Sequence, residues 1–206
     1  MNEDSNRHRT VAIVVFDGFD ELDALGPYEV LQNASDVGAG ISVRLCTLKP
    51  TDEVRASHGL RIVPDTTLQE TEPDIVIVPG GGWNSQSDEG AYTEARKGDI
   101  PDAVARLHED GVTVASVCTG AMLLAEAGLT DGRPAVTHGA AIEDLRKSGA
   151  DVVEARVADD GDIVTAGGVT SGIDLALWLV ERVWSREIAE EVAKRMEYER
   201  TEDIQR

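Results

Sequence analysis

Cys118 stands where an apolar run, residues 112–117, meets the small residues Thr119-Gly120-Ala121. A buried strand followed without a spacer by a tight turn into a helix is the layout of a nucleophile elbow, which lifts one side chain above a sheet. Gly120 and Ala121 allow close approach of the helix backbone. The positive end of that helix is expected to favour thiolate over thiol and so to lower the Cys118 pKa. A free cysteine is also commonly a small buried apolar residue, and the local pattern leaves both readings open. Cys46, inside a strand with no glycine beside it, reads as the buried kind. Asp23 sits among Leu22, Ala24 and Leu25, so its carboxyl belongs at the edge of an apolar cavity, where it could trade a proton with a thiol as general acid or base. The alternative is a helix cap ahead of Gly26-Pro27. Asp17, Asp20, Glu21 and Glu29 are close enough in the chain to compete for the role. Gly80-Gly81-Gly82 could offer its backbone N–H groups, together with that of Thr119, to an anion or a developing oxyanion, which makes Gly81, Gly82 and Thr119 candidate oxyanion or substrate contacts; it could also be only a flexible turn, and it lacks the spacing of a dinucleotide fingerprint. His138 could serve Cys118 as base or hydrogen-bond partner, or be structural. The four His and two Cys show no metal-ligand spacing, which leaves a thiol site with no metal and no cofactor.

These residues need a scaffold that brings distant segments to one edge. Residues 11–16 form a continuous apolar run, as in a strand buried on both faces. A helix follows it, with Pro27 suited to its first turn. Residues 41–48 read as a second strand, 53–63 as a hairpin excursion, 74–78 as a third strand and 112–117 as a fourth. Helices are expected over 100–107 and 119–127, the latter stopping at Gly128, then a short strand over 135–137 and a helix over 142–147. Residues 152–157 and 162–165, joined by Asp159-Asp160-Gly161, read as a hairpin. An apolar helix spans 171–183, and Ser185 is placed to cap a last helix over 186–199. Strand–helix alternation predicts an α/β fold, a flavodoxin-like three-layer sandwich with a mainly parallel central sheet. One domain covers residues 1–206, with 1–9 and 201–206 expected to fray. In such sheets ligands gather at the carboxyl ends of the strands, where Asp23, the glycine run, Cys118 and His138 all arrive.

At these residues the chain resembles the ThiJ/PfpI superfamily, the group that includes the parkinsonism-associated deglycases. The resemblance is carried by Leu22-Asp23-Ala24-Leu25-Gly26-Pro27-Tyr28-Glu29-Val30, Val78-Pro79-Gly80-Gly81, Ser116-Val117-Cys118-Thr119-Gly120-Ala121, Ala125-Glu126-Ala127-Gly128-Leu129, Thr137-His138 and Gly167-Gly168-Val169-Thr170-Ser171-Gly172-Ile173-Asp174. It is strongest to the isonitrile hydratase-like subgroup and to the amidotransferase-like sensor domain of AraC-type regulators. It implies a homodimer with a reactive elbow cysteine, Cys118, working with the acid of the first loop, Asp23, and with Thr119 as the elbow threonine. The implied reaction adds water to an isonitrile to give an N-substituted formamide. Several strings depart from related branches. Hydratases of this group commonly carry T-H-W where this chain has Thr137-His138-Gly139, so the pocket wall is lighter. Thr119 stands where the peptidase-like branch places His, no H-x-E follows as in glutamine amidotransferases, and the first-loop acid is Asp rather than the Glu of the deglycase branch.

Three classes compete. A hydro-lyase requires both Cys118 and Asp23. A non-catalytic sensor tolerates loss of either. A glyoxalase-type or oxidative-stress protein depends on Cys118 chemistry alone.

Charge excludes more than it assigns. With 39 Asp and Glu against 19 Lys and Arg the net charge is −20, the opposite of what phosphate binding needs and unsuited to anionic lipid. No apolar run approaches the roughly 20 residues of a membrane span, and the polar start predicts a cytoplasmic protein acting on a small molecule, without nucleic-acid or membrane partners. Only Lys49, Lys97, Lys147 and Lys194 are lysines, and acidic residues occur along the whole chain. Self-repulsion on this scale is relieved by concentrated salt, so the composition predicts a halophilic, salt-in cytoplasm. The melting temperature is expected to rise as KCl approaches molar concentration; a melting temperature indifferent to KCl would refute the habitat reading.

Overall fold

The apolar runs become strands buried on both faces, and the intervening segments become the helices that cover them. A computed structural model describes residues 7–206. The chain runs β1 (Arg9–Val14), α1 (Glu21–Asp36), β2 (Ile41–Thr47), the small hairpin β3 (Val54–Arg55) and β4 (Arg61–Ile62), β5 (Thr66–Thr67), the single turn α2 (Leu68–Thr71) and β6 (Ile75–Val78). It continues through α3 (Ala91–Lys97), α4 (Asp99–Glu109), β7 (Thr113–Val117), α5 (Gly120–Glu126), β8 (Pro134–Ala135), α6 (Ile142–Lys147) and β9 (Asp151–Val152). Last come β10 (Val157–Asp159), β11 (Ile163–Ala166), α7 (Ser171–Val183), α8 (Arg186–Arg195) and β12 (Ile204–Gln205).

The main sheet has eight strands in the order β12-β10-β11-β7-β6-β1-β2-β5, parallel throughout except between β10 and β11. One group of helices, α1, α7 and α8, packs together, and α3, α4 and α5 form another; with the sheet between them this is the expected three-layer flavodoxin-like sandwich. Because β2 and β6 flank β1 on opposite sides, the winding reverses there and opens a crevice at the carboxyl ends of β1 and β6. Among the described residues no helix is long and apolar enough to cross a membrane.

Several expectations are corrected. Helix α1 begins at Glu21, capped by Asp20, and Pro27 lies inside it rather than in its first turn. The missing Pro27 N–H leaves the Asp23 carbonyl without its helical partner, and the ring packs on α7, where a Cβ on Gly172 would stand 3.2 Å from Pro27 Cδ. The 152–157 strand divides: β9 pairs with β8, and only β10 forms the hairpin with β11. Helix α8 is capped by Ser185 as expected but stops at Arg195, because Glu197 adopts a left-handed φ of 51°. Residues 1–6 lie outside the described residues. Arg9, expected to fray, already opens β1, its N–H bonded to Gly40 O at 2.8 Å. Residues 201–206, also expected to fray, contain β12, which pairs with β10 at the sheet edge.

The site end of the sheet is welded by backbone contact. A Cβ on Gly120 would lie 2.1 Å from Val78 O, and one on Gly80 would lie 2.5 Å from Thr119 N. Gly120→Ala is therefore expected to destabilise by about 1–3 kcal/mol or more through overpacking, whereas Gly139→Ala, facing open space, should stay within about 0.5 kcal/mol. Urea denaturation midpoints of the two variants test the contrast.

Candidate functional site

The end of β7 turns into α5 so sharply that Cys118 takes a left-handed φ of 57°, a strain that persists only where surroundings enforce it. The enforcement is visible: the Cys118 N–H donates to Ala166 O and Gly167 O at 3.0 and 2.8 Å, and its carbonyl accepts from Thr137 Oγ1 at 2.9 Å. The residue is 6% exposed, and its sulfur receives the N–H groups of Val169 and Thr119. The nucleophile-elbow expectation holds.

Asp23 projects from the first turn of α1, fully buried. Its Oδ2 accepts from Gly80 N–H at 2.9 Å. Its Oδ1 is buried without a hydrogen-bond partner among the described residues; the nearby Cys118 thiol favours the carboxylate but lies outside ordinary hydrogen-bond geometry. The capping role belongs to Asp20, whose Oδ1 accepts from Leu22 N–H at 3.2 Å. Asp17 accepts from Arg55 N–H, Glu21 turns to His58 and Leu60, and Glu29 is exposed beside Asn33. Of the first-loop acids, the structure brings Asp23 to the thiol.

Burial, then the neighbouring Asp20 carboxylate, pushes the Asp23 carboxyl up to about 7. Burial and then the Asp23 charge push the Cys118 thiol up to about 12, against the pull of the Val169 and Thr119 N–H groups. The expectation that the helix terminus would lower the Cys118 pKa is thus overturned: the backbone donors act in the expected direction, and desolvation with a nearby carboxylate outweighs them. The two groups are electrostatically coupled, and the carboxyl gives up its proton well before the thiol does. When Asp23 holds that proton its repulsion of a thiolate disappears.

The other expected site residues fare differently. Gly81 N–H donates to Thr119 Oγ1 at 2.9 Å, so it is committed to the elbow and is not an oxyanion donor. Gly82, with a φ of 68°, shapes the turn that follows, and its carbonyl accepts from Ser87 N–H. Thr119 contributes its N–H to the Cys118 sulfur. His138 Nδ1 accepts from Ala140 N–H at 3.2 Å, which assigns the ring proton to Nε2. Among the described residues no hydrogen bond joins His138 to Cys118; its ring packs against Gly168, where a Cβ would stand 2.8 Å from His138 Cδ2. Gly80 N–H, expected to face an anion, is taken by the Asp23 carboxyl. Two further contributors carry no expected role in the sequence: Thr137 Oγ1, a side-chain hydroxyl in the Thr-His string, and Val169 N–H, a backbone donor that leaves no residue-type signal. Among the described residues no group of three or more His, Cys, Asp or Glu stands ready to hold a metal ion.

A DJ-1/PfpI family profile matches residues 9–182. The chain is 33% identical over 189 residues to isonitrile hydratase of Pseudomonas putida, spanning 91% of this chain and 78% of that protein. It is 28% identical over 193 residues to protein DJ-1alpha of Drosophila melanogaster, spanning 91% and 83%. A ThiJ/PfpI family protein from Pseudomonas syringae has a similar structure, with a TM-score of 0.83 at 27% identity over 98% of this chain and 81% of that one. DJ-1beta of Drosophila melanogaster shares the fold, with a TM-score of 0.80 at 22% identity over 94% and 100%.

The buried acid has a measurable consequence for stability. Its carboxyl titrates near 3.8 when free and near 7 in the fold, so the folded chain holds a proton that the unfolded chain has released. Stability is lost as pH rises from about 4 to 7 and stays lost above that. Asp23→Asn keeps an oxygen for Gly80 N–H and removes the titration. The variant is expected to gain on the wild type across that window, by a few kcal/mol at most. Denaturation midpoints that differ equally at pH 4 and pH 8 would contradict it.

Proposed function

Because the chain belongs to the DJ-1/PfpI family and buries an acid beside an elbow thiol, we propose that it is a cysteine-dependent small-molecule enzyme of the isonitrile hydratase type. The observation that carries the reading is the Asp23–Cys118 pair itself, a proton-holding carboxyl poised near neutrality against a potential nucleophile. Similarity to isonitrile hydratase of Pseudomonas putida supports the choice of substrate class.

The Cys118 sulfur adds to the terminal carbon of R–N≡C, and Asp23 carries the thiol proton to that same carbon. New S–C and C–H bonds form, and the triple bond becomes the C=N of a thioimidate, R–N=CH–S–Cys. Water then adds to the thioimidate carbon, with Asp23 relaying one water proton to nitrogen. Collapse of this adduct breaks the C–S bond, returns the second water proton to Cys118 and releases R–NH–CHO. The Val169 and Thr119 N–H groups hold charge on sulfur as it attacks and leaves. Gly82 and His138 form part of the wall against the R group, and Gly81 acts by fixing Thr119. No cofactor takes part. The same reading makes the protein a cytoplasmic homodimer with no nucleic-acid or membrane partner.

Formamide production from simple isonitriles in molar KCl tests the proposal. Turnover should fall below about a thousandth in Cys118→Ala and by about 10²–10⁴-fold in Asp23→Asn. A folded wild type that hydrates neither alkyl nor aryl isonitriles would remove this activity and turn attention to the glyoxalase-type and sensor readings.

A further inference from the structure

We propose that the charge of Asp20 sets how tightly the Asp23–Cys118 pair holds its proton, a positioning role separate from its capping bond. The inference holds whatever substrate the thiol meets, so the isonitrile reading can fail without it.

Asp20 is locked in place. Its N–H donates to Gly80 O at 2.9 Å, while the N–H of the same glycine donates to Asp23 Oδ2 at 2.9 Å. The glycine loop presses on it from the other side: a Cβ on Gly81 would lie 2.7 Å from Asp20 N. Its half-buried carboxylate is tied by Oδ1 to Leu22 N–H. Asp20 caps α1 from an extended backbone just ahead of its first turn, and Asp23 lies within that turn, so the two acids hang from the same glycine three residues apart.

An N-cap needs only an acceptor oxygen, which Asn or Ser supplies equally well. A full negative charge here is surplus to capping; among the described residues no ion pair reaches Asp20, and the exposed His58, paired with Glu21, is the cationic group its charge also favours. Other ionisable groups around the pair are accounted for. Glu21, on the same helix, is taken up by His58, Ser57 and Leu60 N–H. The loop over 79–82 contains none. His138 lies against Gly168 and is engaged with Ala140 N–H. Asp174 of α7 is bound by Arg156 and Tyr198. Asp20 is thus the outside charge left to act on both partners, and it pushes both Asp23 and Cys118 upward. Its removal makes it easier to take a proton from the pair, whichever atom gives it up.

The pH dependence of Cys118 alkylation by iodoacetamide, followed by the mass of the Cys118 peptide, reads this without turnover. Asp20→Asn and Asp20→Ser keep a capping oxygen and lose the charge; Asp20→Glu keeps the charge. In the Asn and Ser variants the alkylation midpoint should move down by about 0.5–1 pH unit, with the rate at mildly alkaline pH rising about 3–10-fold, while Asp20→Glu keeps the wild-type profile. Asn and Ser profiles that overlay the wild type would overturn the proposal, even if their melting temperatures fall. A Glu variant shifted as far as Asn would also overturn it, because cap geometry rather than charge would then be responsible.

Discussion

The backbones of β6 and the elbow meet at Gly80 and Gly120 with no room for a side chain, and the rest of the site is arranged around that contact. A Cβ at either glycine would overlap backbone atoms of the other segment, so the distance between the third strand's exit loop and the thiol turn is set by main-chain atoms alone. From this fixed point Gly80 reaches α1 with both backbone groups, its carbonyl to Asp20 N–H and its N–H to the Asp23 carboxyl, and Gly81 reaches Thr119. Backbone donors and acceptors in a close-packed interior have little freedom to relax. An acid on one helix and a thiol at the foot of another are therefore held in register without a direct bond of ordinary geometry between them.

The arrangement is expensive in stability. A buried carboxyl near a second carboxylate, with one oxygen unpartnered among the described residues, opposes its own ionisation. A chain that already carries a net charge of −20 gains nothing in stability from one more confined negative charge. What results is a carboxyl whose proton affinity lies near neutrality, set beside a buried thiol. Environment rather than residue type decides the outcome, as a single turn of helix shows: Glu21, pointed outward to His58 and two backbone N–H groups, is held down to about 2, while Asp23 on the inner face is driven the other way.

Much of this was legible in the sequence because period and punctuation were strong. The four long apolar runs, the helix over 171–183 and the strand–turn–helix around Cys118 could be read directly, and they suffice for the three-layer fold. What could not be read has specific physical causes. Thr66 and Thr67 form β5 only because β2 offers an edge, and the seven residues of α3 lack an apolar stripe. Pro27 looked like a helix start, since local propensity cannot register the α7 surface that tolerates it in the interior. The choice among five first-loop acids depends on which way α1 faces, which is a tertiary fact. The direction of the thiol pKa is hidden because a helix terminus is visible in a sequence, whereas desolvation and a carboxylate ninety-five residues away in the chain are not.

The far edge of the sheet takes part in the same logic. Arg156, between β9 and β10, donates to the buried Asp174 of α7 and to Thr170 Oγ1, and Tyr198 O–H donates to the other Asp174 oxygen at 3.0 Å. The Arg156 N–H is in turn received by Asp203, just ahead of β12. This network anchors the start of α7, and with it the turn whose Val169 N–H faces the Cys118 sulfur. Tyr198 satisfies the oxygen of Asp174 that Arg156 leaves, in an ion pair that would be costly to bury half-made. Residues 201–206, expected to fray, are tied to the same strand connection through Asp203 and the pairing of β12 with β10.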